Sequence, residues 1–245
     1  MNSIKLMNHI FIRVLKLTGL VFTLFVVLEV ILFGNTSKSL DFGYTRFEQA
    51  LDKSGIGLVF WASFVIILII TFVILMSYYW GSKSIYSILS LPVTPGGTIL
   101  SFIIPCIINL LILCALQLVL LILFGLWLPS FFPNREYQYM NNYILLGVIR
   151  FTPTSFLFPL SILQWGEFLL ILISPAVVLV YSFFMTMVRK FYVFMIDGLW
   201  IFFIYNLTRK YVSMTNMIIN LAAILLLTVY MYWRVVKNVK GRCIG

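Results

Sequence analysis

Long runs of apolar residues dominate this chain and leave few folds open to it. Residues 56–80 contain no charged side chain, and at ~1.5 Å per residue a helix of that length crosses the ~30 Å hydrocarbon core of a bilayer. Only 10% of the residues are charged, whereas soluble domains have about 25%. The pattern predicts one all-α integral membrane domain over residues 1–245, with about six transmembrane helices. The expected spans are 17–33, 56–80, 99–128, 166–188, 191–207 and 217–233.

The first apolar run follows a basic segment, as the hydrophobic part of a signal peptide does. Lys5, Arg13 and Lys16 precede it, and no acidic residue occurs before Glu29. The run is longer than the ~7–15 apolar residues of a signal peptide, and residues 34–37 do not form a cleavage site of small residues. We therefore expect a retained first span with its N-terminus in the cytoplasm.

The charge distribution predicts the orientation of the spans. With both termini in the cytoplasm, ten of the 17 basic residues lie on that side and none of the seven acidic residues does. The positive-inside rule favours this arrangement, which requires an even number of spans. The net charge of +10 therefore follows topology and does not indicate a nucleic-acid partner. The predicted cytoplasmic basic residues are Lys5, Arg13, Lys16, Lys83, Arg189, Lys190, Arg234, Lys237, Lys240 and Arg242. The predicted external acidic residues are Asp41, Glu48, Asp52 and Glu136.

A short amphipathic segment separates the second and third runs. Ile85, Ile88 and Leu89 share one face of a helix predicted at about residues 82–91, because they recur at i, i+3 and i+4. A helix of this length is too short to cross a bilayer. It either lies flat beneath the membrane or docks into a groove on another protein, and we favour docking.

Local signals define both ends of this short helix. Ser82 or Ser84 can cap its start by accepting a backbone N–H. Leu91 ends it, because the residue before a proline, here Pro92, is disfavoured in the α region. The Pro-Gly-Gly sequence at 95–97 predicts a turn before the third span.

The segment between the third and fourth spans is apolar but interrupted. Arg150, Pro153 and Pro159 fall within it, and a charge at the bilayer centre costs about 3 kcal/mol on insertion scales. We expect residues 142–165 to form an extracellular amphipathic or re-entrant segment rather than a full span.

No motif for nucleotide binding or hydrolysis occurs in the sequence. It lacks the G-x-x-x-x-G-K-[ST] loop, the H-E-x-x-H zinc motif and the G-x-S-x-G elbow. Asp197 is the only aspartate in a predicted span, so one chain cannot form an intramembrane aspartyl pair. His9 is the only histidine, and Cys106, Cys114 and Cys243 suggest no disulfide framework. We expect no catalytic residue, metal site or cofactor in this chain itself.

Three acidic residues lie in or beside predicted spans. Glu29 lies near the outer end of the first span, where its side chain can reach interfacial water or line an outer vestibule. Glu167 begins the fourth span, where a carboxylate near the positive end of the helix is favourable. Asp197 lies within the fifth span, and either structural pairing, with Arg150 or a polar residue on another helix, or substrate contact would explain it.

The third span contains two amide side chains, Asn109 and Gln117. Amides within spans commonly hydrogen-bond to neighbouring helices, and we prefer that interpretation. Together with Glu29 and Asp197, they are also candidates to line a substrate path.

The predicted topology and the sequence at residues 88–94 point to one family. Ile-Leu-Ser-Leu-Pro-Val-Thr has the L-x-x-L-P-[VI]-[ST] type of ending, and it follows a short cytoplasmic helix between the second and third of six spans. In these features the chain resembles the membrane (permease) subunit of an ABC-2 type, or type V fold, ABC exporter. Many members have an acidic residue before this helix, where this chain has Lys83 and Ser84.

The resemblance implies a coupling helix that inserts into a separate ABC ATPase subunit, which binds ATP and Mg²⁺. Two membrane subunits, identical or different, would pair, with their first, second and fifth spans lining a central path. Small permeases of this size are similar to those of Firmicutes that export, or give immunity to, peptides such as toxins and bacteriocins. The expected function is ATP-driven export of an amphipathic substrate across a bacterial plasma membrane. A peptide is the favoured substrate class. The implied docking residues are Lys83, Ser84, Ile85, Tyr86, Ile88, Leu89, Leu91 and Pro92.

Two other classes of function remain open. A secondary transporter would couple transport to ions or protons through Asp197 and Glu29, without an ATPase. A membrane-embedded enzyme or a sensor subunit would act without moving a substrate across the bilayer.

Overall fold

The computed structural model describes residues 3–39, 47–80, 94–127, 157, 159–187, 193–207 and 214–243. Seven helices occupy these residues, which contain no strand. This part of the chain is therefore all-helical, as the apolar runs predict. The helices are α1 (Ser3–Ser39), α2 (Phe47–Ser54), α3 (Ile56–Trp80), α4 (Pro95–Trp127), α5 (Ile162–Met187), α6 (Val193–Leu207) and α7 (Met214–Cys243).

Five helices are long and apolar enough to cross a membrane, namely α1, α3, α4, α5 and α7. α6, where the fifth span is predicted, has 15 residues, or about 22 Å of helix, which is shorter than the ~30 Å core. The part of the chain that the structure describes thus contains five helices of full length and a shorter sixth apolar helix. This is the architecture of a multi-pass helical membrane protein.

α1 has 37 residues and extends beyond the first predicted span at both ends. Its basic N-terminal part carries an apolar residue at every fourth position, and Leu6, Ile10 and Val14 are all buried. Residues four apart lie on the same face of a helix. The buried stripe of the span therefore continues through the basic segment that precedes the first apolar run.

The polar region at 35–55, between the first two predicted spans, contains helical structure. α1 continues to Ser39, and α2 follows with Ala50 and Leu51 buried against the bundle. Gly55 separates α2 from α3 with a φ of +74°, a conformation that glycine adopts without a steric penalty. Its carbonyl oxygen then accepts from the N–H of Leu58 at 3.0 Å, which starts α3.

α4 begins at Pro95, four residues before the predicted third span. The prediction of a turn at 95–97 is therefore wrong. Thr94 caps the helix, because its side-chain oxygen accepts a hydrogen bond from the Gly97 N–H at 3.2 Å. Pro95 occupies the first helical position, where its missing N–H costs nothing and its fixed φ suits the helix. The Pro-Gly-Gly sequence is therefore a helix start.

α5 begins at Ile162 with a capping box. The Ser161 side chain accepts a hydrogen bond from the Gln164 N–H at 3.4 Å, and the Gln164 side-chain oxygen accepts from the Ser161 N–H at 3.1 Å. Glu167 lies more than a turn inside the helix and is half-buried. The expectation that Glu167 is an edge or capping carboxylate is therefore wrong, since Ser161 and Gln164 cap the helix.

α1 and α4 run parallel and pack in register. Thr18 contacts Asn109, and the ring of Phe33 stacks on that of Phe124 with a centroid distance of 4.4 Å. Both pairs differ by 91 positions, so each residue of α1 lies level with the residue 91 positions later in α4. Parallel packing is what two spans separated by one antiparallel span, α3, must show.

Contacts at one end of the bundle relate the remaining helices. The Arg13 guanidinium lies 4.9 Å from the centre of the Tyr78 ring, so the start of α1 meets the end of α3. Phe102 and Phe183 are 6.1 Å apart between ring centroids, so the start of α4 meets the end of α5. These helices therefore alternate in direction along the chain.

The end of α7 lies at this same end of the bundle. Near its C-terminus, Asn238 donates a hydrogen bond to the sulfur of Met185 on α5 at 3.3 Å. We call this the basic end, because five basic side chains of the described residues belong to it. They are Lys5, Arg13, Lys16, Arg234 and Lys237.

α5 is the most enclosed of the five long helices, and it packs against α3, α4, α6 and α7. Phe183 and Phe184 of α5 meet Phe102 of α4 to form an aromatic cluster. α1 packs on the other side of α4 and α3. Leucine and isoleucine side chains are exposed around the outside of the bundle, for example Leu20 and Leu226, as expected of surfaces that face lipid.

Candidate functional site

The predicted coupling helix lies outside the described residues, and so does most of segment 142–165. The docking residues that fall outside are Lys83, Ser84, Ile85, Tyr86, Ile88, Leu89, Leu91 and Pro92. Their flanks are described. Trp80 ends α3 and Thr94 caps α4, and both belong to the basic end of the bundle.

A hydrogen bond within the membrane-spanning region joins α1 to α4. The Thr18 hydroxyl donates to the Asn109 side-chain oxygen at 2.8 Å, and the Asn109 amide group donates to the Pro105 carbonyl at 2.8 Å. Thr18 and Asn109 are both completely buried. Asn109 therefore links two helices, as preferred from the sequence, with Thr18 as its partner on α1.

Glu29 and Gln117 form a second polar contact between these helices. The Gln117 side chain lies beside the Glu29 carboxyl group, and the 91-residue register permits this contact because it puts Gln117 level with residue 26, within one helical turn of Glu29. Both residues have an exposed fraction of 0%. Neither Glu29 oxygen, nor the oxygen or nitrogen of the Gln117 amide, has a hydrogen-bond partner within the described part of the chain.

The interpretation of Glu29 as an interfacial side chain that reaches water is wrong. α1 continues ten residues beyond Glu29 to Ser39, or about 15 Å of helix. The carboxyl group points into the α1–α4 contact instead of outward. Glu29 was expected near the end of the first span because the apolar run ends there, but the helix continues beyond the run and keeps Glu29 inside the bundle.

Asp197 joins α6 to α5. The Ser182 hydroxyl donates to one carboxyl oxygen of Asp197 at 2.8 Å. The other oxygen, Oδ1, and the indole nitrogen of Trp200 are buried and have no hydrogen-bond partner in the described residues. Asp197 thus contacts a polar residue on another helix, while Arg150 lies outside the described part.

The structure does not bring Glu29 and Asp197 together. Glu29 is level with residue 120 of α4 by the α1–α4 register, whereas Asp197 bonds to Ser182, next to the Phe183 that meets Phe102. The two levels differ by about 18 residues of helix, or roughly 27 Å along the bundle. They cannot hold one ligand between them.

The described residues contain no group of three His, Cys, Asp or Glu side chains that could hold a metal ion. Cys106 and Cys114 are buried free thiols on α4. Three pairs of polar side chains instead lie between helices, namely Thr18 with Asn109, Glu29 with Gln117, and Ser182 with Asp197, a pattern suited to fixing or changing helix packing.

Sequence reasoning identified Asn109, Gln117, Glu29 and Asp197 as residues of interest but not their surroundings. Thr18 and Ser182 were missed because hydroxyl groups in spans can bond to their own helix backbone and so carry little signal. Only the packing of separate helices reveals their second partners.

Comparison of the chain with protein-family models, curated proteins and solved structures gave no significant match. The resemblance to ABC-2 exporters therefore rests on the sequence pattern itself, namely the order of apolar runs and the motif at residues 88–94.

Proposed function

We propose that this chain is the membrane subunit of an ATP-driven ABC-2 type exporter. It moves an amphipathic substrate out of a bacterial cell across the plasma membrane, and a peptide is the substrate class that we favour. The proposal includes six crossings, with α6 as the fifth, and cytoplasmic N- and C-termini. A separate ATPase supplies the energy, and a second membrane subunit completes the transport path.

One observation carries this proposal: the end of α3 and the start of α4 both belong to the basic end of the bundle. Arg13 contacts Tyr78 near the end of α3, and a Cβ added at Gly96 in α4 would lie 3.7 Å from the Tyr232 hydroxyl of α7. By the positive-inside rule, a basic end faces the cytoplasm. Residues 81–93 connect these two helix ends, so a cytoplasmic ATPase could reach them.

The helix packing provides a way to transmit movement from such a docking segment. α3 and α4 continue from its two ends as long helices, and the Thr18–Asn109 and Phe33–Phe124 contacts tie α1 to α4. Closure of the ATPase dimer around ATP would push the coupling helix and move these helices as packed units. Such rigid-body rocking changes which side of the membrane the path faces.

Co-purification tests the proposal. The tagged full-length chain, purified from its native membranes in mild detergent, should carry a protein with a P-loop and ATPase activity. Ile88→Asp with Leu89→Asp should remove both, because two charges would be buried in the docking groove. Ser87→Asp with Ser90→Asp is the matched control, since these serines lie on the opposite face of the predicted helix.

The control pair should retain the ATPase, and all variants should insert into the membrane. The docking assignment is wrong if the ATPase remains bound to the Ile88→Asp, Leu89→Asp variant. Equal loss in the control pair would show that any added charge disrupts the segment, which would also contradict a docking face.

A proton-coupled transporter is the second candidate, because Glu29 is fully buried without a hydrogen-bond partner in the described residues. This mechanism needs two separate proton-binding sites, since Glu29 and Asp197 are roughly 27 Å apart along the bundle. Proteoliposomes containing only this chain would then transport substrate without ATP when a proton gradient is imposed. Asp197→Asn would abolish that transport.

A further inference from the structure

The buried polar atoms of Glu29 and Gln117 match each other in number and type. Two carboxyl oxygens and one amide oxygen and nitrogen have no partner in the described residues. A neutral carboxylic acid and a primary amide can form a ring of two hydrogen bonds, in which each group donates once and accepts once. That arrangement would satisfy all four atoms at the same time.

We propose that Glu29 is held as the neutral acid and pairs with Gln117 to form a proton-dependent link between α1 and α4. The acid O–H donates to the Gln117 amide oxygen, and the amide N–H donates to the Glu29 carbonyl oxygen. We call this arrangement the acid–amide pair. In the structure the two groups lie beside each other, and the two hydrogen bonds of the pair need only a rotation of their side chains.

An ionised Glu29 does not fit this setting. A carboxylate has no proton to donate, so the Gln117 oxygen would remain unsatisfied. Within the described part of the chain, the long helices that pack on α1 offer no cation to compensate the charge, because α3 and α4 contain no basic residue. On the adjacent α2, Asp52 and Lys53 are exposed. An unpaired buried charge is far more costly than a neutral acid.

The neighbouring contacts allow the pair to close by side-chain rotation. Thr18–Asn109 holds the helices together on one side of it, and Phe33–Phe124 holds them on the other. Glu29 and Gln117 differ by about one helical turn in level, a distance that their flexible side chains can cover. The pair would thus lock the middle of the α1–α4 contact without a change in register.

This inference is independent of which transport mechanism the protein uses. Infrared spectroscopy of the full-length protein in lipid tests it, because the carbonyl band of a neutral carboxylic acid is separate from carboxylate bands. Glu29→Gln should remove an acid band from the spectrum. Gln117→Leu should retain that band but shift it to higher frequency, because the acid carbonyl loses its hydrogen bond.

Glu167→Gln is the matched control for the band assignment. It makes the same chemical change on α5, and the shift caused by Gln117→Leu should persist in its presence. The exchanged variant Glu29→Gln, Gln117→Glu should regain an acid band, since the same two groups are present in reverse. The proposal is overturned if Glu29→Gln removes only carboxylate bands, or if Gln117→Leu leaves the acid band unmoved.

Thermal unfolding of the full-length protein in detergent gives an independent readout. Glu29→Leu and Gln117→Leu should each lower the midpoint, because each leaves a buried polar group without its partner. The double variant should lose less than the sum of the two single losses. Additive losses would show that the two side chains do not form a pair.

Discussion

Loss of the Thr18 hydroxyl should weaken the contact between α1 and α4 by a measurable amount. Thr18→Val keeps the shape of the side chain but removes the donor to Asn109, which lies at 2.8 Å. Interhelical hydrogen bonds in membranes average about 0.6 kcal/mol and reach about 1.7 kcal/mol. Asn109 would keep its bond to Pro105, so its amide would be only partly unsatisfied.

We therefore expect Thr18→Val to lower the free energy of unfolding by about 1 kcal/mol, which is roughly a fivefold change in the unfolding equilibrium. Reversible unfolding in mixed micelles containing a denaturing detergent would measure it. Thr18→Ser keeps the hydroxyl but removes a buried methyl group, so the loss it shows measures packing rather than the bond.

A double-variant cycle with Asn109→Leu isolates the interaction from the effects of each substitution. The coupling energy between Thr18 and Asn109 should fall between about 0.6 and 1.7 kcal/mol. A coupling energy near zero would refute the reasoning.

Two further substitutions test local features of the fold. Gly55→Ala should destabilise the protein by about 1 kcal/mol, because alanine is strained at the positive φ between α2 and α3. Thermal unfolding would measure this loss. Gly19→Ala is the control, because it adds the same methyl group at a helical site with the same free space, and it should show no such loss. Ser182→Ala should lower the unfolding free energy by about 1 kcal/mol, because Asp197 on α6 loses its hydrogen bond. Ser182→Thr keeps the hydroxyl and should retain most of the stability; equal losses would argue against this bond.

The apolar runs located most helices but set some of their ends in the wrong place. Residues 56–80 match α3 at both ends, because glycines, Gly55 and Gly81, flank the apolar run on both sides. α1 exceeds its run because helix formation depends on backbone hydrogen bonds and a buried stripe, and Leu6 continues that stripe among charged residues. α4 starts earlier because Thr94 supplies a cap.

The candidate site was harder to predict than the helices. Hydropathy identifies Glu29 and Gln117 as polar residues in spans, but it does not show that they face each other. Their separation in sequence is 88 residues, and no local pattern connects them. The same applies to the Ser182–Asp197 contact, which depends on how α5 and α6 lie against each other.

The sequence by itself determined that this chain is helical and suited to a bilayer. In hydrocarbon every backbone polar group needs an internal partner, and a long apolar run meets that need as a helix. Only the tertiary structure decided which polar side chains face each other, because lipid and a neighbouring helix are equally apolar surroundings for most residues in a span. The Thr18–Asn109 bond and the adjacent Glu29 and Gln117 therefore depend on the register of α1 against α4, which long-range packing determines.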